Sequence, residues 1–176
     1  MKEYKINVEN LRSFCDILKA GDRVLLSGTV YTARDAAHKR FMQTIAQGGE
    51  LPIDIKDAVI YYAGPTPAPE GLPIGSCGPT TSSRMDAFAP KLLDMGLCAM
   101  IGKGPRSREV NGAIIRNRAV YLCAIGGAGA LAAKSVKSLE VVAYDELGCE
   151  SVKKLEVEDF PLTVGIDCMG SSLFDR

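Results

Sequence analysis

Residues 23–40 read Arg-Val-Leu-Leu-Ser-Gly-Thr-Val-Tyr-Thr-Ala-Arg-Asp-Ala-Ala-His-Lys-Arg, and a change of pattern inside them decides the fold class. Up to Tyr31 the run is apolar and β-branched, and the Gly21-Asp22 turn precedes it. That composition predicts a strand. Beyond it the period changes: Ala36, Ala37, Phe41 and Ile45 form a helical stripe that Gly48-Gly49 ends. Thr32, with Asp35 three residues on, is the predicted N-cap. A strand that runs straight into a helix is the building unit of an α/β protein.

The same alternation extends outward. Ala58–Ala63, Leu97–Ile101, Ala119–Ile125 and Leu139–Tyr144 read as strands, and 154–157 and 162–166 as two further strand-like segments. A helix is expected from Ser82 or Ser83, as cap, to Met95, with Pro90 kinking or splitting it and Gly96 ending it. Another is expected over 107–116, despite Gly112, and an Ala-rich one up to Lys134. Residues 170–176 are polar and read as a peripheral tail. The length of 176 residues and the 47% hydrophobic content predict one α/β domain over 1–176 with a substantial core.

Lys+Arg and Asp+Glu are both 21, so the formal net charge is zero. This speaks against broad electrostatic binding to nucleic acid or a membrane surface, and the few aromatics speak against base stacking. Any anion site must be local. No apolar run is long enough to cross a bilayer, and the start (Met-Lys-Glu-Tyr-Lys) lacks the apolar segment of a signal peptide. A cytoplasmic protein is therefore expected. The six cysteines (Cys15, Cys77, Cys98, Cys123, Cys149 and Cys168) are scattered, with no C-x-x-C pair, so no metal site is expected from this chain. Most read as small core residues, and Cys77 stands out because it abuts the most polar motif.

That motif is Gly-Pro-Thr-Thr-Ser-Ser-Arg-Met (78–85), which packs a turn, four hydroxyls and a guanidinium into eight residues. It closes a stretch, 64–79, with five prolines and four glycines. A long ordered loop of that kind is usually functional. A bland cap needs one hydroxyl, whereas hydroxyls, free backbone N–H groups and an arginine suit a carboxylate or phosphate. Three other polar clusters also fall at or after strand ends: Thr32–Asp35, Gly102-Lys103-Gly104 and Gly126–Gly129. In α/β proteins sites assemble at the C-terminal ends of strands, which argues for one composite site.

The individual residues have competing readings. Arg34 is either a site cation or a surface arginine paired with Asp35 or Glu50. His38, the lone histidine, lies one turn after Arg34 and is either a cleft residue or a half-buried structural one. Lys103, between two glycines, is read as functional over a solvated turn lysine. The glycine segments fit neither G-x-G-x-x-G nor a phosphate loop, so Gly126–Gly129 reads as close helix–strand packing. Taken alone, these residues describe an oxyanion or carboxylate binder.

Five blocks in order resemble the β subunits of the iron–sulfur hydro-lyases, class I fumarases and L-tartrate dehydratases. They are 21–28, 32–40, 78–86, Ile-Gly-Lys-Gly (101–104) and Ile-Gly-Gly-Ala-Gly-Ala (125–130). The resemblance implies a swivelling β/β/α domain with a central sheet flanked by helices. It implies a separate α subunit ligating a [4Fe-4S] cluster, whose labile iron acts as a Lewis acid on substrate, and an α2β2 assembly. It assigns Arg34, Arg84 and Lys103 to substrate carboxylates and proton transfer to a threonine placed at Thr80, with Thr81 the alternative. His38, Thr81 and Gly78 are candidate lining residues, and no metal ligand is assigned to this chain. Fumarate hydration to malate is the leading activity. Tartrate dehydration, a non-catalytic dicarboxylate or phosphate module, and a structural subunit are the alternatives.

Overall fold

The run from Arg23 extends one residue beyond the predicted strand, and the elements follow from there. In the computed structural model, which describes residues 1–125 and 127–175, they run in this order. First come β1 (Glu3–Asn7), α1 (Val8–Phe14), β2 (Arg23–Thr32), α2 (Asp35–Ala46) and β3 (Val59–Tyr61). A 3-10 turn (Ser82–Met85), α3 (Ala89–Asp94), β4 (Ala99–Gly102), α4 (Arg108–Asn117) and β5 (Val120–Cys123) follow. The chain closes with α5 (Gly129–Lys134), β6 (Val136–Ala143), a second 3-10 segment (Asp145–Glu150) and β7 (Val152–Ile166). Among the described residues no helix is long and apolar enough to cross a membrane.

Seven strands form one sheet in the order β1-β2-β3-β4-β5-β7-β6, and β7 also pairs with β2, so the pairings close on themselves. Strands β1 to β5 run parallel to their neighbours, and β7 is antiparallel to β2, β5 and β6. This is the expected α/β class, a central sheet with flanking helices. Each face of the sheet buries its own core. Val24, Leu26, Val59, Ile101, Leu122 and Leu155 share one with α1. Ile60, Tyr62, Met100 and Tyr121 share the other with residues of α2, α3 and α4. Alternate residues of one strand therefore serve two cores, so the central strands read as continuously apolar.

Several expectations change. Thr32 is not a cap: it ends β2 fully buried, its Oγ1 has no partner, and α2 starts at Asp35 with Arg34 at the N-cap. The predicted helix over 82–95 is split. Pro90 sits in the first turn of α3, where its missing N–H removes no helical bond. Ser82 and Ser83 do not cap it. Ser107, by contrast, does cap α4, accepting the Val110 N–H at 3.3 Å. The two strand-like segments near the end are one strand, β7. Its polar midpoint, Asp159, takes a left-handed conformation (φ 48°) and donates its N–H to Ser27 Oγ at 2.9 Å. The β1–α1 unit was not anticipated, because in β1 only Ile6 is buried and the strand carries no apolar run.

One close approach positions the loops that follow. A Cβ on Gly102, at the end of β4, would collide with Ser82 Oγ and lie 3.0 Å from the Tyr62 ring. Gly102→Ala is therefore expected to cost about 1–3 kcal/mol by overpacking. A fall in the urea midpoint checks this, and an unchanged midpoint would contradict the packing described.

Candidate functional site

The parallel register levels the C-terminal ends of four strands. Thr32 lies opposite Tyr61, Tyr61 opposite Ile101, and Gly102 opposite Cys123. The segments after β2, β3 and β4 therefore emerge at one edge, carrying Arg34, the 62–81 loop and Lys103. The long Pro-rich loop then returns to that edge by backbone bonds. Ala63 pairs with Pro79, Thr80 N–H donates to Tyr62 O at 2.7 Å, Thr81 pairs with Lys103, and Ser82 N–H donates to Lys103 O at 2.9 Å. The Gly78–Met85 run is thus stitched between two strand ends.

Arg84 links the loops through its guanidinium. Its Nε donates to Asp35 Oδ1 at 3.1 Å, its Nη2 lies 2.8 Å from Asp35 Oδ2, and its Nη1 donates to Thr80 Oγ1 at 3.4 Å. Arg34 pairs with neither Asp35 nor Glu50. Its Nε is buried without a hydrogen-bond partner and lies 4.0 Å from Glu150 Oε1, an ion pair the sequence offered no signal for. Lys103 is half-buried and has no ion-pair partner among the described residues. Thr80 is half-buried and Thr81 exposed. Gly78 lies at the margin, its Cβ position 3.5 Å from Gly129 of α5. That contact sets a loop against a helix, whereas the glycine segment was expected to pack helix on strand, and Gly126 of that segment lies outside the described residues.

Beneath these loops lies a buried polar layer that the sequence reading missed. Tyr121 Oη sits 2.8 Å from Ser82 Oγ and 2.9 Å from Gly104 O. Burial pushes the phenol well above its ordinary pKa, so it stays protonated and able to donate. The Arg106 side chain is fully buried, with Nε donating to Asp86 Oδ1 at 2.7 Å and its guanidinium carbon 5.3 and 4.9 Å from the Tyr62 and Tyr121 ring centres. Asp86 Oδ2 also accepts the Ser107 N–H at 2.7 Å. The one available signal was position: Asp86 closes the 78–86 block, and Arg106 follows Lys103 by three residues.

His38 lies in the core rather than at the exposed edge. Its ring is fully buried, stacked on Phe88 at 5.6 Å with Phe41 and Tyr62 at its edges. Nδ1 lies 2.7 Å from Arg34 O, which makes it the protonated nitrogen, and Nε2 has no partner. Burial pulls its pKa down to about 4. His38 thus reaches the site only through the Arg34 carbonyl.

Among the described residues no three His, Cys, Asp or Glu side chains group around a common point. Cys77 is fully buried, and burial pushes its thiol up to about 12, which makes it an inert core residue. What the edge does offer is two guanidiniums, an ammonium and a hydroxyl, with two resident carboxylates. That set can hold a dianion and stabilise charge growing on one of its carboxylates.

Comparison with known proteins adds a second line. The sequence profile described as fumarase C-terminus matches residues 1–176. The chain is 46% identical over 156 residues to the anaerobic class I fumarate hydratase of Escherichia coli K12, covering 88% of this chain and 28% of that protein. It is 38% identical over 176 residues to fumarate hydratase 2 of Leishmania major, covering 99% of this chain and 31% of that protein. It is 39% identical over 165 residues to a Methanocaldococcus jannaschii protein provisionally named L(+)-tartrate dehydratase subunit beta, covering 90% of this chain and 85% of that protein. The chain therefore spans under a third of those fumarate hydratases and most of the tartrate dehydratase subunit.

The His38 environment carries a pH prediction. The folded ring is neutral down to about pH 4, whereas the unfolded ring takes a proton near its ordinary value of 6.5. Its stabilising contribution is present above pH 6.5 and is lost as pH falls toward 4. Between pH 7 and pH 5 the stability gap between the natural chain and His38→Asn is expected to shrink by about 2 kcal/mol. Urea unfolding at both pH values measures this, and a constant gap would mean that the ring titrates alike in both states.

Proposed function

This chain belongs to the fumarase C-terminus family, and from that premise we propose that residues 1–176 form the β-subunit-type domain of an iron–sulfur hydro-lyase. The activity we propose is reversible hydration of fumarate to L-malate. The observation that carries this reading is the Arg84 guanidinium, which spans Thr80 Oγ1 and the Asp35 carboxylate at the edge that also holds Arg34 and Lys103. A dicarboxylate seated there replaces or shares the resident carboxylates. Arg34, Arg84 and Lys103 then hold its two ends and stabilise the extra charge that builds on a carboxylate when the proton on the adjacent carbon leaves.

Thr80 is the proposed proton-transfer group, ahead of Thr81, because its hydroxyl is the one bonded to a guanidinium. A threonine hydroxyl is a weak base at its ordinary pKa, and neighbouring cations favour its alkoxide. The [4Fe-4S] cluster is proposed to belong to a separate α subunit in a cytoplasmic α2β2 assembly. The named beta subunit among the relatives supports a two-chain arrangement. The name of that relative also favours a second reading, L-tartrate dehydration to oxaloacetate.

Anaerobic co-expression with the α subunit and cluster reconstitution tests both readings, with fumarate and tartrate assayed side by side. Fumarate turnover is expected. Turnover of tartrate alone selects the second reading, and turnover of neither sinks the hydro-lyase assignment. In the active assembly Thr80→Ala is expected to keep assembly and cluster but lower kcat by about a hundredfold or more, as loss of general acid–base catalysis does. Near-normal kcat would remove Thr80 from the mechanism.

A further inference from the structure

Lys153, near the start of β7, is buried (7% exposed) yet lies outside the cationic edge. Its Nζ lies 3.1 Å from Gly148 O, 3.1 Å from Cys149 O, 3.3 Å from Ser151 O and 2.8 Å from Ser151 Oγ. An ammonium has three N–H donors, and here every acceptor belongs to one turn. Burial draws the lysine pKa down, which marks the cost of holding a charge at this place. That cost needs a reason, and the turn supplies one.

The gathered turn carries Glu150. Its Oε1 accepts the Ala36 N–H at 3.4 Å and lies 4.0 Å from Arg34 Nε. The start of α2 needs this acceptor, because Arg34 at the N-cap supplies no side-chain cap and Thr32 is buried in β2. A carboxylate at a helix start also meets the favourable end of the helix dipole. Gly64 fits between the parts: a Cβ there would lie 2.7 Å from Arg34 Nη1 and 3.2 Å from Cys149 O. The Lys153-bound turn, Gly64 and the Arg34 side chain are therefore in contact as one layer.

We propose that Glu150 is the positioning residue for Arg34, capping α2 from the Lys153-anchored turn and fixing the guanidinium at the cleft edge. This rests on the reading above that Arg34 takes a substrate carboxylate. Glu150 touches no reacting atom. It acts through α2's first turn and through the oxygen that faces Arg34 Nε, so its loss weakens binding before it slows chemistry.

The test compares Glu150→Ala and Glu150→Gln in the assembled two-subunit enzyme. Glu150→Ala is expected to speed amide exchange at Ala36 about tenfold, the scale of a lost cap, and to raise KM about tenfold with kcat within about threefold. Glu150→Gln keeps the oxygen acceptor and is expected to restore both exchange and KM to within about threefold of the natural enzyme. Unchanged Ala36 exchange in Glu150→Ala, a kcat loss as large as the KM rise, or no rescue by glutamine would overturn the proposal. If the natural assembly turns over neither dicarboxylate, the hydro-lyase reading fails while the exchange measurement still decides whether Glu150 holds α2.

Discussion

The loops after β3 and β4 lie against each other only because Gly102 carries no side chain. Ser82 occupies the space a Cβ would need, and from there it reaches both Lys103 O through its N–H and Tyr121 through its hydroxyl. Thr80, Arg84 and Lys103 depend on that stitch. It sets the separation of Thr80 and Arg84 from Lys103, and the parallel register sets their separation from Arg34. The layer below is costly to disturb. Arg106 and Asp86 are a buried pair, and removing either partner strands the other charge. Such a foundation suits a site that must hold its shape before its ligand arrives.

The charges at the edge are arranged to be shared. Arg84 rests on Asp35 and Arg34 lies beside Glu150, so each guanidinium has a resident carboxylate while the chain as a whole is neutral. A dianion entering here meets cations already oriented, and the half-exposed Arg84 need only exchange one carboxylate for another. On the proposed reading, the local grouping rather than net charge gives the site its preference. Thr80 gains its proposed role from the same arrangement, since the guanidinium on Asp35 also touches its hydroxyl.

The strand-to-helix alternation was legible because periodicity survives wherever one face is buried, as in β2 and α2. The coming together of Arg34, Thr80, Arg84 and Lys103 at one edge was legible too, since all four follow parallel strands. The split before Pro90 was also legible, since a residue without an N–H fits a helix only in its first turn. Other features left no local trace. Thr32 has the chemistry of a cap, but the strand claims it, and the cap comes from Glu150, more than a hundred residues away. The single β7 strand was hidden by Glu158 and Asp159, which lie at an irregularity opposite Ser27 where the pairing with β2 shifts register before it resumes. Arg106 and Lys153 drew no reading, because nothing in one sequence reveals that acceptors from elsewhere enclose them.

On the proposed reading this chain supplies the cationic half of a dicarboxylate site. Calorimetric titration of the reconstituted two-subunit assembly with succinate, a dicarboxylate with no double bond or hydroxyl to react, tests it most directly. Comparison of the natural assembly with Arg34→Met, Arg84→Met and Lys103→Met should show each replacement weakening binding by about tenfold or more, the scale of a charge-assisted hydrogen bond. Succinate affinity unchanged in all three would contradict the claim.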